Sequence, residues 1–514
     1  MKKKLDVMMI FEGTYPFNGG GVSTWAHNLC DKVKNVNFTL YSVNANYEEK
    51  PKYTLSKSVK KVIQLPMWSP LEINELEISD KKFYKTVSRK VKDDQEAIVT
   101  VFVPLFEKLI QLIFTENASA QEIDSTVYQM WLYFQKHDYK KTMSSLPVWK
   151  AFQQNISQTI AQDEHYKATL YDITVAMRWL YRFLMPISVQ VPKMDVSHIS
   201  LAGFPVIPAL ILKYKYGTPI VATEHGVFIR ERLIAINSSE FSFFLKNFLI
   251  KFSECITKLA YYKTDVILSV NKFNLSWEKR YGANPDKINV VYNGIDHTLF
   301  VPTPKPAQLQ NTPTVVAAAR VFELKDIHTM IRSCAVVAQE IPNVKFLVYG
   351  DNNADPAYTQ SCNALIKSLK LEKNFIFAGH HSNPQELYCE GDLSILTSIS
   401  EGFPYTVIES MSCGIPVVAT DVGGVTEALT DDCGMICKPK DHEGIGNSVI
   451  KLLKDKDLRE KMGVAARARV IENFTIDTFI HNYEATYNFA YSASKSDKPD
   501  YSNTMLKKAL ENWP

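Results

Sequence analysis

Glu401 and Glu409 stand eight residues apart in SEGFPYTVIESMSCGIPVVATDVGG, a spacing that suits recognition of a polyhydroxylated, anionic ligand. A carboxylate can accept two hydrogen bonds from a vicinal diol such as a ribose. Glu401 and Gly402 fall in a loop ahead of a helix start, where free backbone N–H groups can hold an anion or a sugar ring. Taken alone, two glutamates at this spacing read better as surface carboxylates, one in a favourable first-turn position and one solvated. The glycines, the Phe403–Pro404 pair and the apolar runs on either side favour the ligand reading.

The elements that would position them follow from the pattern. Residues 404–413 predict a helix with Val407, Ile408 and Met411 on one side and Gly414 to stop it. Residues 393–397 and 416–420 lack clean alternation, as strands buried on both faces do. Strand, loop, helix and strand make a βαβ unit, whose ligands sit at the carboxyl ends of the strands.

Arg320 and Lys325 follow another strand candidate, 314–319, so both cations can converge on one diphosphate, or can be an ordinary basic loop. Near the start, strand 5–11 runs into EGTYPFNGGGVSTW and a helix carrying Val22, Trp25, Ala26, Leu29 and Val33 on one face. Gly19, Gly20 and Gly21 let the main chain approach a phosphate, or make a plain turn. The spacing is not the dinucleotide fingerprint. His225, between Glu224 and Gly226, follows strand 220–223 at the functional edge of a sheet. Arg230 and Arg232 either meet an anionic substrate or pair with Glu231 and Glu240. Asp455 and Asp457 have Asp-x-Asp spacing, but their setting, KLLKDKDLREKMG, reads as a charged helical surface, so no metal is assigned.

With 514 residues, two or three domains are expected. Basic and acidic side chains nearly balance, 58 against 55, so no bulk field points to nucleic acid. Eight scattered cysteines read as reduced core thiols and a cytoplasmic setting. No secretory signal is evident, and the apolar run 98–114 carries Glu107 and Lys108 near its centre, which argues against a spanning helix. Residues 67–188 break the sheet pattern. Phe102, Leu105, Phe106, Leu109, Ile110 and Ile113 recur there at helical spacing, which predicts a helical insertion with a helix-to-helix core. Further strands are expected at 38–43, 61–65, 196–200, 266–270, 288–292, 344–349 and 374–377, with a proline-rich linker at 301–314. A helix is expected at 476–491 and a short amphipathic one at 505–512.

The segments GGGVSTW, TEHG, VYNGID, AARVFELKD and EGFPYTVIESMSCGIPVVATDVGG, in this order, resemble nucleotide-sugar glycosyltransferases of family 4 with the GT-B fold. The insertion, EGTYPFNGGGVSTW and EHGVFIRER resemble more narrowly the PelF group, cytosolic enzymes that work with membrane partners to make the Pel exopolysaccharide. The resemblance implies an α/β architecture of two Rossmann-like doubly wound domains facing a cleft. The N-terminal acceptor domain would span 1–300, the nucleotide-sugar domain 301–475, a helix crossing back 476–493 and a tail 494–514.

It also implies roles. Glu409 would bind the ribose, and Glu401 the donor sugar beside the amides of Gly402, Phe403, Pro404 and Tyr405, of which the proline carries no N–H. Arg320 and Lys325 would hold the diphosphate, Gly20 and Gly21 would approach its distal phosphate, and His225 would lie beside the transferred sugar. The loop 379–382, with Gly379, His380 and His381, would hold the base. The family retains anomeric configuration without a divalent metal or other cofactor, and the narrower resemblance points to UDP-glucose and a glycan acceptor. The aromatic stretch 241–252, with the insertion, is expected to dock on a membrane-embedded synthase complex. Two other readings fit the same fold: a nucleotide-sugar epimerase or hydrolase, and a non-catalytic nucleotide-binding scaffold.

Overall fold

The computed structural model describes residues 4–45, 50–67, 94–161, 167–381 and 383–512. The chain forms two compact units: Met1–Ser269 with Leu275–Asn289 and Tyr483–Pro514, and Val270–Asn274 with Val290–Asn482.

The first unit is built on β1 (Leu5–Glu12), β2 (Val36–Asn44), β3 (Val59–Pro66), β4 (Val196–Ile199), β5 (Ile220–Glu224), β6 (Val266–Ser269) and β7 (Ile288–Val290). Their order is β3-β2-β1-β4-β5-β6-β7, and β1 to β6 pair in parallel. Strands covered on both faces need apolar residues throughout, and Val7 to Phe11 of β1 are fully buried. The order reverses between β1 and β4, so the loop after β1, which carries Gly19 to Gly21, leaves the sheet at its switch point.

The sheet is interrupted after β3 by the expected helices, whose described members include Val103–Phe114, Ala120–Phe134, Leu146–Ala161 and Leu170–Leu184. The parts of that expectation at 68–93 and 162–166 lie outside the described residues. Phe102, Phe106, Leu109, Ile110 and Ile113 are buried and Leu105 is half-buried, so the stripe is core as its spacing predicts. The run Gln95–Phe114 is long and apolar enough to cross a membrane by length and composition. Here its apolar face packs on neighbouring helices, with Phe106 against Phe152 and Phe114 against Phe248.

That packing corrects the expected role of 241–252. Phe244, Phe248 and Phe252 are buried, because helix Phe243–Lys263 is sandwiched between insertion helices and Val206–Tyr216. Of the phenylalanines in this stretch, Phe241 and Phe243 are the exposed ones.

The second unit holds β8 (Thr314–Ala318), β9 (Lys345–Tyr349), β10 (Phe375–Gly379), β11 (Leu393–Leu396), β12 (Val417–Thr420) and β13 (Gly434–Cys437). All neighbours in the order β10-β9-β8-β11-β12-β13 are parallel. Two doubly wound parallel sheets are therefore present, as expected. The proline-rich stretch is tied to the second unit, since Lys305 Nζ donates to Asp392 Oδ2 at 2.7 Å and to Thr312 O at 2.8 Å. All eight cysteines are free thiols, and seven are buried. Helices Ile476–Ala493 and Asn503–Asn512 close the chain, the latter with Leu506 buried.

Candidate active site

The order of the second sheet reverses between β8 and β11, so the loops leaving these two strands emerge side by side. One carries Arg320 and Lys325, the other Glu401. Lys325 Nζ lies 2.5 Å from Glu401 Oε1, and Ser398 Oγ donates to the same oxygen. The turn Glu323–Lys325 is held to the tip of β11 by Thr397 Oγ1, which donates to Lys325 O at 2.9 Å, and by Ile399 N, which donates to Leu324 O at 2.9 Å. Arg320 is exposed and lies over the Phe322 ring, 5.0 Å from its centroid. The structure thus joins Lys325 to Glu401 and leaves Arg320 on the rim.

Helix Tyr405–Ser412 begins at Pro404, which offers no side-chain cap, and Arg467 closes its other end by donating to Ser412 O. Glu409 sits on this helix and accepts from Tyr388 Oη at 2.7 Å. Glu409 keeps a partial opening to solvent, yet its carboxyl is ringed by protein. Burial pushes its pKa up, against the lowering effect of the Tyr388 hydrogen bond. Tyr388 precedes β11 and gave no sign in the sequence.

At the base-loop position Gly379 has φ +73° and His380 is exposed. His381 is fixed from both sides. Its Nδ1 accepts from Asn383 N at 3.0 Å, so Nε2 carries the proton it gives to Glu390 Oε1 at 3.3 Å. Tyr349 donates to the other Glu390 oxygen and packs edge-on against His381 at 5.0 Å. Of the two histidines, His380 is the one presented to solvent. Ser382 lies outside the described residues.

The loop from Glu401 to Phe403 is shaped by residues that sequence reasoning passed over. Gly424 N donates to Gly402 O at 2.8 Å, and Asn293 Nδ2 to Phe403 O at 2.9 Å. Gly423 has φ +56°, and a Cβ there would stand 1.9 Å from Glu401 O. The Phe403 ring packs against Tyr292 at 5.0 Å and Phe474 at 5.1 Å. The paired glycines after β12 were the visible signal.

In the first unit Gly20 is the N-cap of helix Gly21–Lys32 with φ 135°, a conformation that favours glycine. Ser23 Oγ, donating to Asn18 O at 2.5 Å, ties the loop to the helix. His225 stands after β5, half-buried, with Trp25 edge-on at 4.5 Å. Burial lowers its pKa to about 3, so the imidazole is neutral. Glu224 beside it accepts from Ala202 N at 3.0 Å and Tyr261 Oη at 2.9 Å. Arg232 pairs with Glu12 at the end of β1, while Glu231 interacts with Arg230, as expected.

Asp455 caps helix Lys456–Asn473 by accepting from Leu458 N at 2.9 Å, which explains its place in the Asp-x-Asp sequence. Among the described residues no group of three or more His, Cys, Asp or Glu is placed to hold a metal ion.

Residues 5–286 match the family described as a domain of unknown function, DUF3492, and residues 303–469 match "Glycosyl transferases group 1". N-acetyl-alpha-D-glucosaminyl L-malate synthase of Bacillus anthracis is 28% identical over 351 residues, 66% of this chain and 84% of that protein. The poly(glycerol-phosphate) alpha-glucosyltransferase of Bacillus subtilis is 27% identical over 240 residues, 42% of this chain and 35% of that protein. The capsular polysaccharide glycosyltransferase CapM of Staphylococcus aureus is 28% identical over 170 residues, 33% of this chain and 44% of that protein. Sucrose-phosphate synthase from Thermosynechococcus elongatus shares the fold with a TM-score of 0.62 at 14% identity, covering 95% of this chain and 100% of that one. HepE of Anabaena, in complex with UDP, gives 0.57 at 15%, covering 94% and 100%. The DUF3492 match over more than half of the chain places it in that family; with its second sheet matching the group 1 glycosyl transferases and its two parallel Rossmann-like sheets, it is a glycosyltransferase of the GT-B fold.

Proposed function

We propose that the protein is a retaining, metal-independent hexosyltransferase that takes glucose from UDP-glucose and extends a polysaccharide of the Pel type in the cytoplasm, beside a membrane-embedded synthase. The observation that carries this reading is the joining of Lys325 and Glu401 at the switch point of the second sheet, with Glu409 on the helix that follows. Glu409 receives the ribose hydroxyls. Lys325 and Arg320 neutralise the departing diphosphate, the role of preorganised charge in such transfers. Glu401 and the amides beside it hold the sugar.

The bond between the anomeric carbon and the diphosphate oxygen breaks, and the acceptor hydroxyl attacks from the same face. Its proton passes to the nucleotide phosphate. Glu401 and Glu409 are assigned to recognition, so neither is a covalent nucleophile. Two relatives named for alpha-configured sugars support retention. The choice of glucose, of UDP and of the Pel pathway follows from the resemblance to the PelF group.

Calorimetric titration with UDP, GDP and ADP, repeated on Glu409→Ala, tests the donor. Selective UDP binding that the substitution abolishes is expected. Absence of binding to all three would overturn the assignment of this site to a nucleotide-sugar donor. Proton NMR of the product made from UDP-glucose then reads the anomeric configuration, and an inverted product refutes retention.

A further inference from the structure

His225 follows β5 with its Nε2 enclosed and without a hydrogen-bond partner. Its ring therefore takes its orientation on that side from packing. The neighbour is Trp25, whose ring lies 4.5 Å from it at an interplanar angle of 73°. Trp25 is fully buried on helix Gly21–Lys32, directly after the glycine loop.

Trp25 is itself fixed by a chain of polar contacts. Its indole N–H donates to Tyr483 Oη at 3.0 Å, and Tyr483 Oη meets Thr223 Oγ1 at 3.2 Å. Thr223 Oγ1 meets His198 Nε2 at 2.8 Å, and His198 Nδ1 meets Tyr487 Oη at 2.7 Å. Burial, with a smaller contribution from His225, takes His198 down to about 3, so this link is neutral and serves to hold geometry. Thr223 lies two residues before His225 on β5. The same chain therefore holds both the indole against His225 and the strand from which His225 projects. Tyr483 and Tyr487 both come from helix Ile476–Ala493.

We propose that Trp25 is a positioning residue for His225, and that Tyr483 sets the angle of Trp25, so helix Ile476–Ala493 governs the histidine that follows β5. The proposal rests on the reading that His225 acts in transfer. Neither Trp25 nor Tyr483 is assigned a contact with the substrate; both act through the imidazole.

A double-mutant cycle tests this, with donor kcat and KM measured for Trp25→Phe, Tyr483→Phe, His225→Ala and the two pairs that include His225→Ala. Trp25→Phe should lower kcat about tenfold and Tyr483→Phe about threefold, with KM little changed, the pattern of a misplaced catalytic group. In the His225→Ala background both effects should vanish. Full losses retained in that background would overturn the proposal, because Trp25 and Tyr483 would then act elsewhere. Full activity of His225→Ala would instead refute the role of His225 itself. Tyr483→Phe removes a single hydroxyl, so it decides the question even if Trp25→Phe fails to fold. Thermal melting of each variant separates loss of folded protein from loss of rate.

Discussion

Lys325 Nζ and Glu401 Oε1 lie 2.5 Å apart, so the cation assigned to the donor diphosphate is held by the carboxylate assigned to the donor sugar. A diphosphate bound as proposed would compete with Glu401 for Lys325. Removing the carboxylate's charge with Glu401→Gln should therefore tighten UDP binding several-fold while slowing transfer, because one competitor for Lys325 is lost along with a contact to the sugar. Lys325→Ala should lower kcat by about 10²-fold or more. Calorimetry and initial rates check both, and weaker UDP binding by Glu401→Gln would refute the competition.

With Glu409 on the ribose as proposed, nucleotide affinity should depend on pH. Its raised pKa means that it takes up a proton at a higher pH than an exposed glutamate, and a protonated carboxyl loses acceptor capacity for a ribose diol. Affinity for UDP should fall on acidification, beginning at a higher pH than an exposed glutamate would give, and Tyr388→Phe should move that fall to still higher pH by removing the hydrogen bond that favours the ionised form. Titrations over a series of pH values give both curves. Superimposed curves for wild type and variant would count against Tyr388.

Gly423→Ala tests the loop. The added methyl would drive into Glu401 O, and φ +56° is unfavourable for alanine. The loop must shift, so donor KM should rise at least about tenfold, and the melting temperature should fall as well, since the position is buried. An unchanged KM would show that the loop tolerates displacement.

Glu224 and Glu278 are both buried in the first unit. Burial, then the neighbouring Glu278, pushes Glu224 up to about 8, and burial pushes Glu278 up to about 7. These folded values exceed the unfolded one of about 4.5, so the folded state binds more protons, and stability declines as pH rises from there through about 7 to 8. Glu278→Gln should melt above the wild type at pH about 8, by at least roughly 3 °C, and the two should converge near pH about 5. A constant difference across this range would contradict the assignment.

The architecture was legible because buried parallel strands write themselves as short apolar runs: β8, β11 and β12 agree with the expected segments within a residue at each end. Glu401 and Glu409 were legible because strand, loop, helix and strand lie contiguous in sequence. Their partners were not. Lys325 is 76 residues from Glu401, and Trp25 is 458 from Tyr483, separations that only the folded topology closes. The stretch 241–252 was misread for a related reason. A helix packed on two sides carries aromatics around much of its circumference, and composition alone does not distinguish that from an exposed adhesive face.

Helix Ile476–Ala493 sets the order in which the protein can be completed as it is synthesised. The polar side chains of Thr223 and His198 emerge from the ribosome early, yet their hydroxyl partners Tyr483 and Tyr487 arrive only after the whole second sheet has been translated. Domains generally fold from the N-terminus as they appear, but here the interior of the first unit includes two tyrosines that follow the second sheet in the chain. A chain that stalls or is cut before Tyr483 would thus leave the earlier unit, and not only the later one, unfinished.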